Sequence, residues 1–254
     1  MKVAMVGFVG MSPAVMTEMA RFLIPEGLTD VIMLPTRDDF VIASSRLVEA
    51  ALKVTYPKVR VHIHFLPMKD VTTEKENIEA AKHLAKAILE EKLRFSVDKI
   101  FLNIAGGRKE TTAMAMMIGE FFGVTAVYHV VNRDVRDMNL YQQKIKEDIM
   151  KFSEPEIEER IKMYKEDREK FDYLLFPQEG NLEFIRIPII PRRLEEISFL
   201  KRLLHPGGVN LMEECVDLHT LEIYRMAGLI AYDKYHAWPT DIGEELGRIL
   251  RGEI

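Results

Sequence analysis

The first half of the chain alternates between apolar runs of strand length and segments with helical periodicity. The apolar runs cover residues 2–9, 29–36, 59–66, 99–104 and 125–131. Between them, apolar residues recur at three- and four-residue steps. Strands that alternate with helices in this way predict a mostly parallel, doubly wound α/β sheet of the Rossmann-like type. In such sheets, ligands bind in the loops at the carboxyl ends of the strands.

The loop after the fourth run has the residues of an anion site. It reads Asn103-Ile-Ala-Gly-Gly-Arg-Lys-Glu-Thr-Thr112, and a helix is predicted from Ala113 onward. A glycine pair between a strand and a helix allows backbone N–H groups to approach an anion at the helix N-terminus. Arg108 and Lys109 add two positive charges at the same point. The loop therefore predicts a bound anion, and phosphate is the natural candidate.

A second candidate loop follows the first run and reads Gly10-Met-Ser-Pro13. Pro13 has a fixed φ that suits the first helical turn, and Ser12 precedes it as a candidate N-cap. A cap with no other role is one interpretation of Ser12. The other is a ligand contact, because a reversal of the sheet's winding between strands one and four would bring both loops together.

Disulfide and metal chemistry find little support in the sequence. Cys215 is the only cysteine, which excludes an intramolecular disulfide and a thiolate-rich zinc site. His62 and His64 share one face of the third strand, a spacing that suits either metal ligation or a solvated strand face. A third ligand is not evident near them in the sequence. The pattern favours the solvated face, and we expect neither a metal nor a cofactor.

The net charge of −5 argues against a generally basic surface that coats nucleic acid. No segment reaches the roughly 18 apolar residues that are needed to span a bilayer. The apolar N-terminal run is too short for a signal peptide. We therefore expect a cytoplasmic protein without a membrane contact.

Residues 133–190 differ in composition from the first half of the chain. Residues 133–172 carry ten Lys or Arg and twelve Asp or Glu, which predicts one or two solvated helices linked by opposite charges. An alternating run at 181–188 predicts an added strand. Pro188 and Pro191 favour a position for this strand at a sheet edge.

The last part of the chain, residues 191–254, predicts three helices, a two-stranded wing and a final helix, which is the order of a winged helix-turn-helix. The second of these helices is predicted over Val209–Cys215, and Asp217 is expected to cap the third. We therefore divide the chain into a Rossmann-like domain at 1–132, the charged segment at 133–190, and the winged domain.

The charge of the winged domain disfavours DNA as a partner. Residues 192–254 carry eight Lys or Arg and eleven Asp or Glu. The helix in the position of a recognition helix, residues 217–225, has one arginine and two acids. Because proteins that neutralise several phosphates need clustered cations, DNA binding stays open but a dimerisation or protein-contact role is favoured.

The two loops together resemble those of the CARF domains of CRISPR systems. The resemblance rests on Gly10-Met-Ser-Pro-Ala-Val-Met-Thr-Glu18 and Asn103-Ile-Ala-Gly-Gly-Arg-Lys109, and it covers roughly residues 1–132. Leu34-Pro-Thr36 and the turn at Asp70 also fit the family's pattern. The resemblance implies a homodimer that binds cyclic oligoadenylates, which type III effector complexes make.

Within that family, a serine in the first loop and a lysine after the glycine pair resemble the ring nucleases, some of which carry a C-terminal winged helix. This implies metal-independent cleavage of cyclic tetra-adenylate to linear di-adenylate with a 2′,3′-cyclic phosphate, which switches off the signal. The Arg-x4–6-His signature of the HEPN ribonuclease branch is not found, because Arg202 and His205 are too close together. Ser12 and Lys109 are the implied catalytic residues. The implied ligand-binding residues are Gly10, Met11, Thr36, Arg37, Asn103, Gly106, Gly107, Arg108 and Thr111.

Two other functions stay open on the sequence. One is a non-catalytic cyclic oligoadenylate sensor that uses the winged domain as a transcriptional regulator. The other is a Rossmann-like nucleotide-binding protein outside CRISPR systems. The second conflicts with the missing Gly-x-Gly-x-x-Gly after strand one and with Thr36-Arg37, which stands where NAD-binding proteins have an acidic ribose ligand.

Overall fold

The five apolar runs form parallel strands, and four helices cross between them. A computed structural model describes residues 1–189, 193–214 and 216–253. The sheet has the strand order β3-β2-β1-β4-β5-β6, in which the first five strands are parallel. The mostly parallel α/β fold predicted from the sequence is confirmed. Its elements are β1 (Val3–Val9), α1 (Ala14–Leu23), β2 (Leu28–Pro35), α2 (Asp39–Thr55), β3 (Arg60–Ile63), α3 (Glu74–Leu89), β4 (Lys99–Asn103), α4 (Lys109–Phe122), β5 (Ala126–Asn132) and β6 (Leu182–Ile187).

The core lies on both faces of the central strands. Every residue of β1 is buried, as are the residues of β2 from Asp30 to Pro35. Apolar side chains of α1 and α2, such as Met16, Met19 and Leu47, cover one of these faces. This double burial explains why the strands are apolar at successive positions instead of alternating.

The charged segment is part of this core, which corrects the prediction of solvated helices. It forms four helices, α5 (Val135–Lys144), α6 (Lys146–Met150), α7 (Ile157–Glu166) and α8 (Arg168–Leu175). Helices α6 and α7 pack on α2, and α8 packs on α1. The prediction was wrong because the many charges occupy the outer faces, while apolar residues at helical spacing point inward. The buried residues of this segment include Ile149, Phe152, Tyr164, Phe171 and Leu175.

Strand β6 completes the sheet as the predicted added strand. It pairs antiparallel with β5 over its full length, from Leu182 opposite Asn132 to Ile187 opposite Val127. It is an edge strand, as Pro188 indicated. Residues 1–189 therefore form one compact unit instead of a domain at 1–132 with a separate appendage.

The rest of the chain forms a second compact unit. The predicted boundary residues Pro191 and Arg192, and also Cys215, lie outside the described residues. The core of this unit includes Leu203, Leu221 and Ile249. Its elements are α9 (Leu194–Leu203), β7 (Val209–Asn210), α10 (Leu218–Met226), β8 (Ile230–Tyr232), β9 (His236–Pro239) and α11 (Asp241–Arg251).

The helix predicted over Val209–Cys215 is not found in the described part of that range. Val209 instead pairs with Ala237 of β9 in an antiparallel sheet of order β7-β9-β8. Gly208 enters this strand at φ +63, and a Cβ there would lie 2.2 Å from the Ala237 carbonyl oxygen. Strand pairing has thus overridden the local helical spacing. Two helices, not three, precede the β8–β9 hairpin among the described residues, which departs from the predicted winged helix-turn-helix order.

Two expectations about the surroundings of the chain concern membranes and metals. Over the described residues, no helix combines the length and the apolar character required to cross a bilayer. The same residues contain no group of three or more His, Cys, Asp or Glu arranged to hold a metal ion. His62 lies with its Nε2 3.7 Å from an Asp30 carboxylate oxygen and is partly exposed.

Candidate functional site

The two predicted loops meet where the winding of the sheet reverses. Strand β1 lies between β2 and β4, so the loop that follows β1 lies beside the loop that follows β4. A Cβ placed on Gly10 would lie 3.1 Å from the backbone nitrogen of Gly107. A Cβ on Gly106 would lie 2.1 Å from the Phe8 carbonyl oxygen, and Gly107 has φ +85. The glycine pair is therefore required by close backbone approach as well as by left-handed backbone geometry.

A cavity of about 430 Å³ opens between these loops and the ends of β2 and β3. Lys69 and Arg108 bring positive charge to its wall, and Asp38 and Asp70 bring negative charge. Asp38 is already used, because its carboxylate accepts hydrogen bonds from the first turn of α2. The predicted ligand-binding residues that line this cavity are Gly10, Met11, Thr36, Gly107, Arg108 and Thr111.

Arg108 is held by a carboxylate in this structure. Its Nε donates to Asp70 Oδ1 at 2.7 Å, and its Nη2 donates to the other carboxylate oxygen. The Arg108 guanidinium keeps the pKa of Asp70 below its usual range. An anion that binds Arg108 must therefore compete with Asp70, a pairing that the sequence did not reveal.

The helices that start at the two loops have no side-chain cap. Arg108 precedes α4 and Pro13 precedes α1, and neither supplies a capping hydrogen bond. By contrast, Asp38 caps α2 and Thr73 caps α3 with a capping box. The uncapped first turns leave N–H groups that an anion can satisfy.

Ser12 does not cap α1, which corrects the simpler of its two interpretations. Pro13 occupies the capping position. Within the part of the chain that the structure describes, the Ser12 hydroxyl has no hydrogen-bond partner. Ser12 lines a second cavity of about 280 Å³ together with Glu18, His129 and Gln142. Its hydroxyl is therefore available to a ligand in that cavity.

Glu18 brings a neutral carboxyl group to the floor of this second cavity. The side chain is buried, and its Oε1 accepts a hydrogen bond from Asn132 Nδ2 at 3.0 Å. Burial raises the pKa of Glu18 above its usual value, although the Asn132 bond and the charge of Arg21 act against this shift. Glu18, His129 and Asn132 were missed by sequence reasoning, since no short-range motif connects them to Ser12.

Lys109 is the first residue of α4 and is exposed. Among the described residues, its ammonium group has neither an ion pair nor a hydrogen bond. A cation at this end of a helix opposes the helix dipole and costs about 0.3–1 kcal/mol. Because Lys109 weakens its own helix without compensation from a partner, its placement suits a ligand better than it suits stability.

Two of the predicted ligand-binding residues are placed away from the first cavity. Asn103 is 1% exposed; its Nδ2 donates to the Val15 carbonyl at 2.9 Å, and its Oδ1 accepts from the Ala105 N–H. It therefore ties the loop after β4 to α1. Arg37 is exposed, with its guanidinium carbon 6.0 Å from the ring centre of Phe65. Both remain close to the loops, but neither lines this cavity.

Comparison with solved structures gives distant similarity only. Csm6 from Enterococcus italicus, bound to cyclic hexa-2′-fluoro-hexa-dAMP, is 16% identical, with a TM-score of 0.46 over 80% of this chain and 46% of its own. Can2 from Sulfobacillus thermosulfidooxidans, in complex with cyclic tetra-adenylate, is 11% identical, with a TM-score of 0.38 over 96% of this chain and 63% of its own. An N,N′-diacetylchitobiose deacetylase from Pyrococcus horikoshii is 14% identical, with a TM-score of 0.38 over 74% of this chain and 84% of its own.

The chain thus spans less than two thirds of the length of the first two of these proteins. No curated protein matches it at a significant level. A family model gives the decisive match. The model of the CRISPR-associated protein NE0113 family covers residues 12–208, which is most of the chain and includes both loops, and the protein therefore belongs to this CRISPR-associated family.

Proposed function

We propose that residues 1–189 form a CARF domain that binds cyclic tetra-adenylate and opens the ring, acting as a ring nuclease. One observation carries the proposal. Where Gly10 and Gly107 approach each other, two helices begin without caps, and the Ser12 hydroxyl and the Lys109 ammonium have no partner among the described residues. These groups suit a phosphodiester, which offers negative charge and hydrogen-bond acceptors.

The reaction requires no metal. A ribose 2′-hydroxyl attacks the adjacent phosphorus, the new O2′–P bond forms, the P–O5′ bond breaks, and the proton passes finally to the 5′ oxygen. The products are a 2′,3′-cyclic phosphate and a free 5′-hydroxyl. Lys109 stabilises the developing negative charge, and Ser12 positions the scissile phosphate or the 2′-hydroxyl. His129, which shares the second cavity with Ser12, adds a candidate proton acceptor that the two motifs lack.

A homodimer would place two copies of each loop around one twofold axis. A cyclic tetranucleotide has matching symmetry, so each subunit would act on one of two opposite phosphates. Two such cleavages yield linear di-adenylate. Removal of the ring would end the signal that CRISPR effector complexes send.

The proposal is tested by incubation of the protein with labelled cyclic tetra-adenylate in excess EDTA. We expect linear di-adenylate with a cyclic phosphate end, at a slow rate, since positioning and electrostatics supply most of the catalysis. Activity that depends on an added divalent ion would contradict the metal-independent mechanism. Intact ring that stays bound to the protein would support the sensor function instead.

The described residues of the second unit give the DNA-binding version of a sensor little support. Helix α10 exposes Leu218, Ile223 and Met226, with exposed fractions of 73%, 52% and 77%. Its arginine, Arg225, is paired with Glu222 on the same helix. A surface of this kind suits a protein contact better than a phosphate backbone. A salt-sensitive shift of promoter DNA in a gel would reverse this conclusion.

Asp70→Asn should strengthen ring binding by about fivefold at low salt, since it removes a negative charge about 4 Å from the bound phosphate and frees Arg108. The measurement is the Kd of cyclic tetra-adenylate by calorimetry at two salt concentrations, and the gain should shrink at high salt. Asp241→Asn, the same change of charge in the second unit, is the control. Weaker binding by Asp70→Asn would show that Asp70 orients Arg108 for the ligand instead of competing with it.

A further inference from the structure

We infer that Gln142 of α5 is a positioning residue for Ser12, an inference that rests on the proposed ring-nuclease function. The Gln142 side-chain nitrogen Nε2 donates a hydrogen bond to the Met11 carbonyl oxygen at 2.8 Å. Met11 is the residue before Ser12, and 131 positions separate it from Gln142. The bond therefore links the loop after β1 to a helix that lies outside the five-stranded parallel part of the fold.

The loop that carries Ser12 has little support of its own. Ser12 makes no capping bond, and Met11 exposes 58% of its side chain to solvent. Across the described residues, the Gln142 bond is the one side-chain hydrogen bond that reaches Met11 or Ser12. On the opposite side, Gly10 has close contact with Gly107. The position of the Ser12 hydroxyl thus depends on a glycine contact on one side and on Gln142 on the other.

Helix α5 is a firm base for this bond. Its start is fixed by Asn132, whose Oδ1 accepts a hydrogen bond from the Asp134 N–H at 2.9 Å. In its last turn, Tyr141 donates its hydroxyl to the Lys170 carbonyl at 3.1 Å and packs its ring 4.5 Å from that of Tyr173. Met138 is buried in the core. A side chain on a helix anchored at both ends can hold a loop more accurately than another loop can.

Gln142 and Ser12 line the same cavity, together with His129. Because both groups face one space, a change in the Gln142 bond would move Ser12 relative to a bound phosphodiester while the loops of the first cavity keep their form. Loss of the bond should therefore reduce the rate of ring opening more than it reduces ring affinity. This gives the charged segment a role in the reaction through its first helix.

Gln142→Met tests the inference, since methionine keeps the length of the side chain but cannot donate a hydrogen bond. Single-turnover cleavage of cyclic tetra-adenylate should slow by about 10- to 100-fold, while the Kd of the ring changes by less than about threefold. Gln143→Met, on the exposed side of the same helix, should leave both values unchanged. Equal losses in rate and affinity, or an unchanged rate, would overturn the inference.

A second readout does not depend on turnover. Hydrogen–deuterium exchange of a peptide that covers residues 9–16 should accelerate in Gln142→Met and not in Gln143→Met, with the rest of the protein unchanged. If the wild-type protein opens no ring, the proposed function fails, and the exchange experiment still decides whether Gln142 holds the loop. Unchanged exchange in Gln142→Met would remove the inference even in an active enzyme.

Discussion

Lys109→Ala is expected to lower the turnover of cyclic tetra-adenylate by about 100- to 1,000-fold, the loss that follows removal of one group that stabilises transition-state charge. The Kd of the ring should rise by less than about tenfold, because the α4 N-terminus and the glycine-pair amides still bind phosphate in the ground state. Single-turnover kinetics and calorimetry separate the two effects. Lys109→Arg should recover part of the rate, since it keeps the charge.

Loss of folding cannot produce this result, because Lys109 opposes the stability of its own helix. Alanine at the first position of α4 removes a cation from the positive end of the helix dipole and should stabilise the protein by about 0.3–1 kcal/mol. Lys58→Ala, an exposed lysine before β3 and thus at the opposite edge of the sheet, serves as the control and should change nothing. Full turnover by Lys109→Ala would rule out the catalytic role.

Glu91→Gln should remove a large pH dependence of stability that has no connection with the site. Glu91 lies in the π-helical turn Glu90–Arg94 after α3, is 4% exposed, and its Oε2 has no hydrogen-bond partner among the described residues. Burial and the neighbouring negative charge of Asp30 raise its pKa to about 7. Asp30 itself stays ionised, because hydrogen bonds from Arg60 and Thr29 lower its pKa in spite of burial.

The sign of the effect follows from the raised pKa. The folded protein holds the Glu91 proton more tightly than the unfolded chain does, so this group's contribution to stability is complete below pH 4.5 and is lost as the pH rises through 7. Wild type should therefore lose about 3 kcal/mol of unfolding free energy from this group between pH 4.5 and pH 8. Glu91→Gln, which is neutral throughout, should match wild type at low pH and exceed it at pH 8.

Urea unfolding at pH 5 and pH 8, followed by circular dichroism, measures this difference. Fluorescence is less suitable because the one tryptophan, Trp238, lies in the second unit. Glu154→Gln, a change of the same charge at an exposed position, is the control and should show the wild-type profile. A pH profile of Glu91→Gln that parallels wild type would mean that Glu91 is ionised in the folded protein.

Local patterns predicted most of the N-terminal fold. Helix α1 has the predicted bounds, Ala14–Leu23, because its apolar spacing and Pro13 define both face and start. Strand β3 ends at Ile63, short of the predicted residue 66, because its pairing with β2 stops there. The packing of 133–175 and the strand at Val209 were missed, since each depends on a partner element distant in sequence.

The same distinction applies to the candidate site. Adjacency of the two loops followed from strand order, and the order follows from the winding of α/β sheets. The pairing of Arg108 with Asp70, the Gln142 bond to Met11 and the cavity that joins Ser12 to His129 could not be predicted. Each joins residues that no sequence spacing relates, and each depends on side-chain placement in the folded protein.

The uncapped starts of α1 and α4 have a consequence for how long the protein persists. A ligand that completes both helix ends stabilises the folded state by an amount that grows with its concentration, about 2.7 kcal/mol at 100 times its Kd. While the ring is abundant, the protein would therefore resist unfolding and proteolysis. As the ring is consumed, that protection would decline, so the lifetime of the protein would follow the amount of the molecule that it removes.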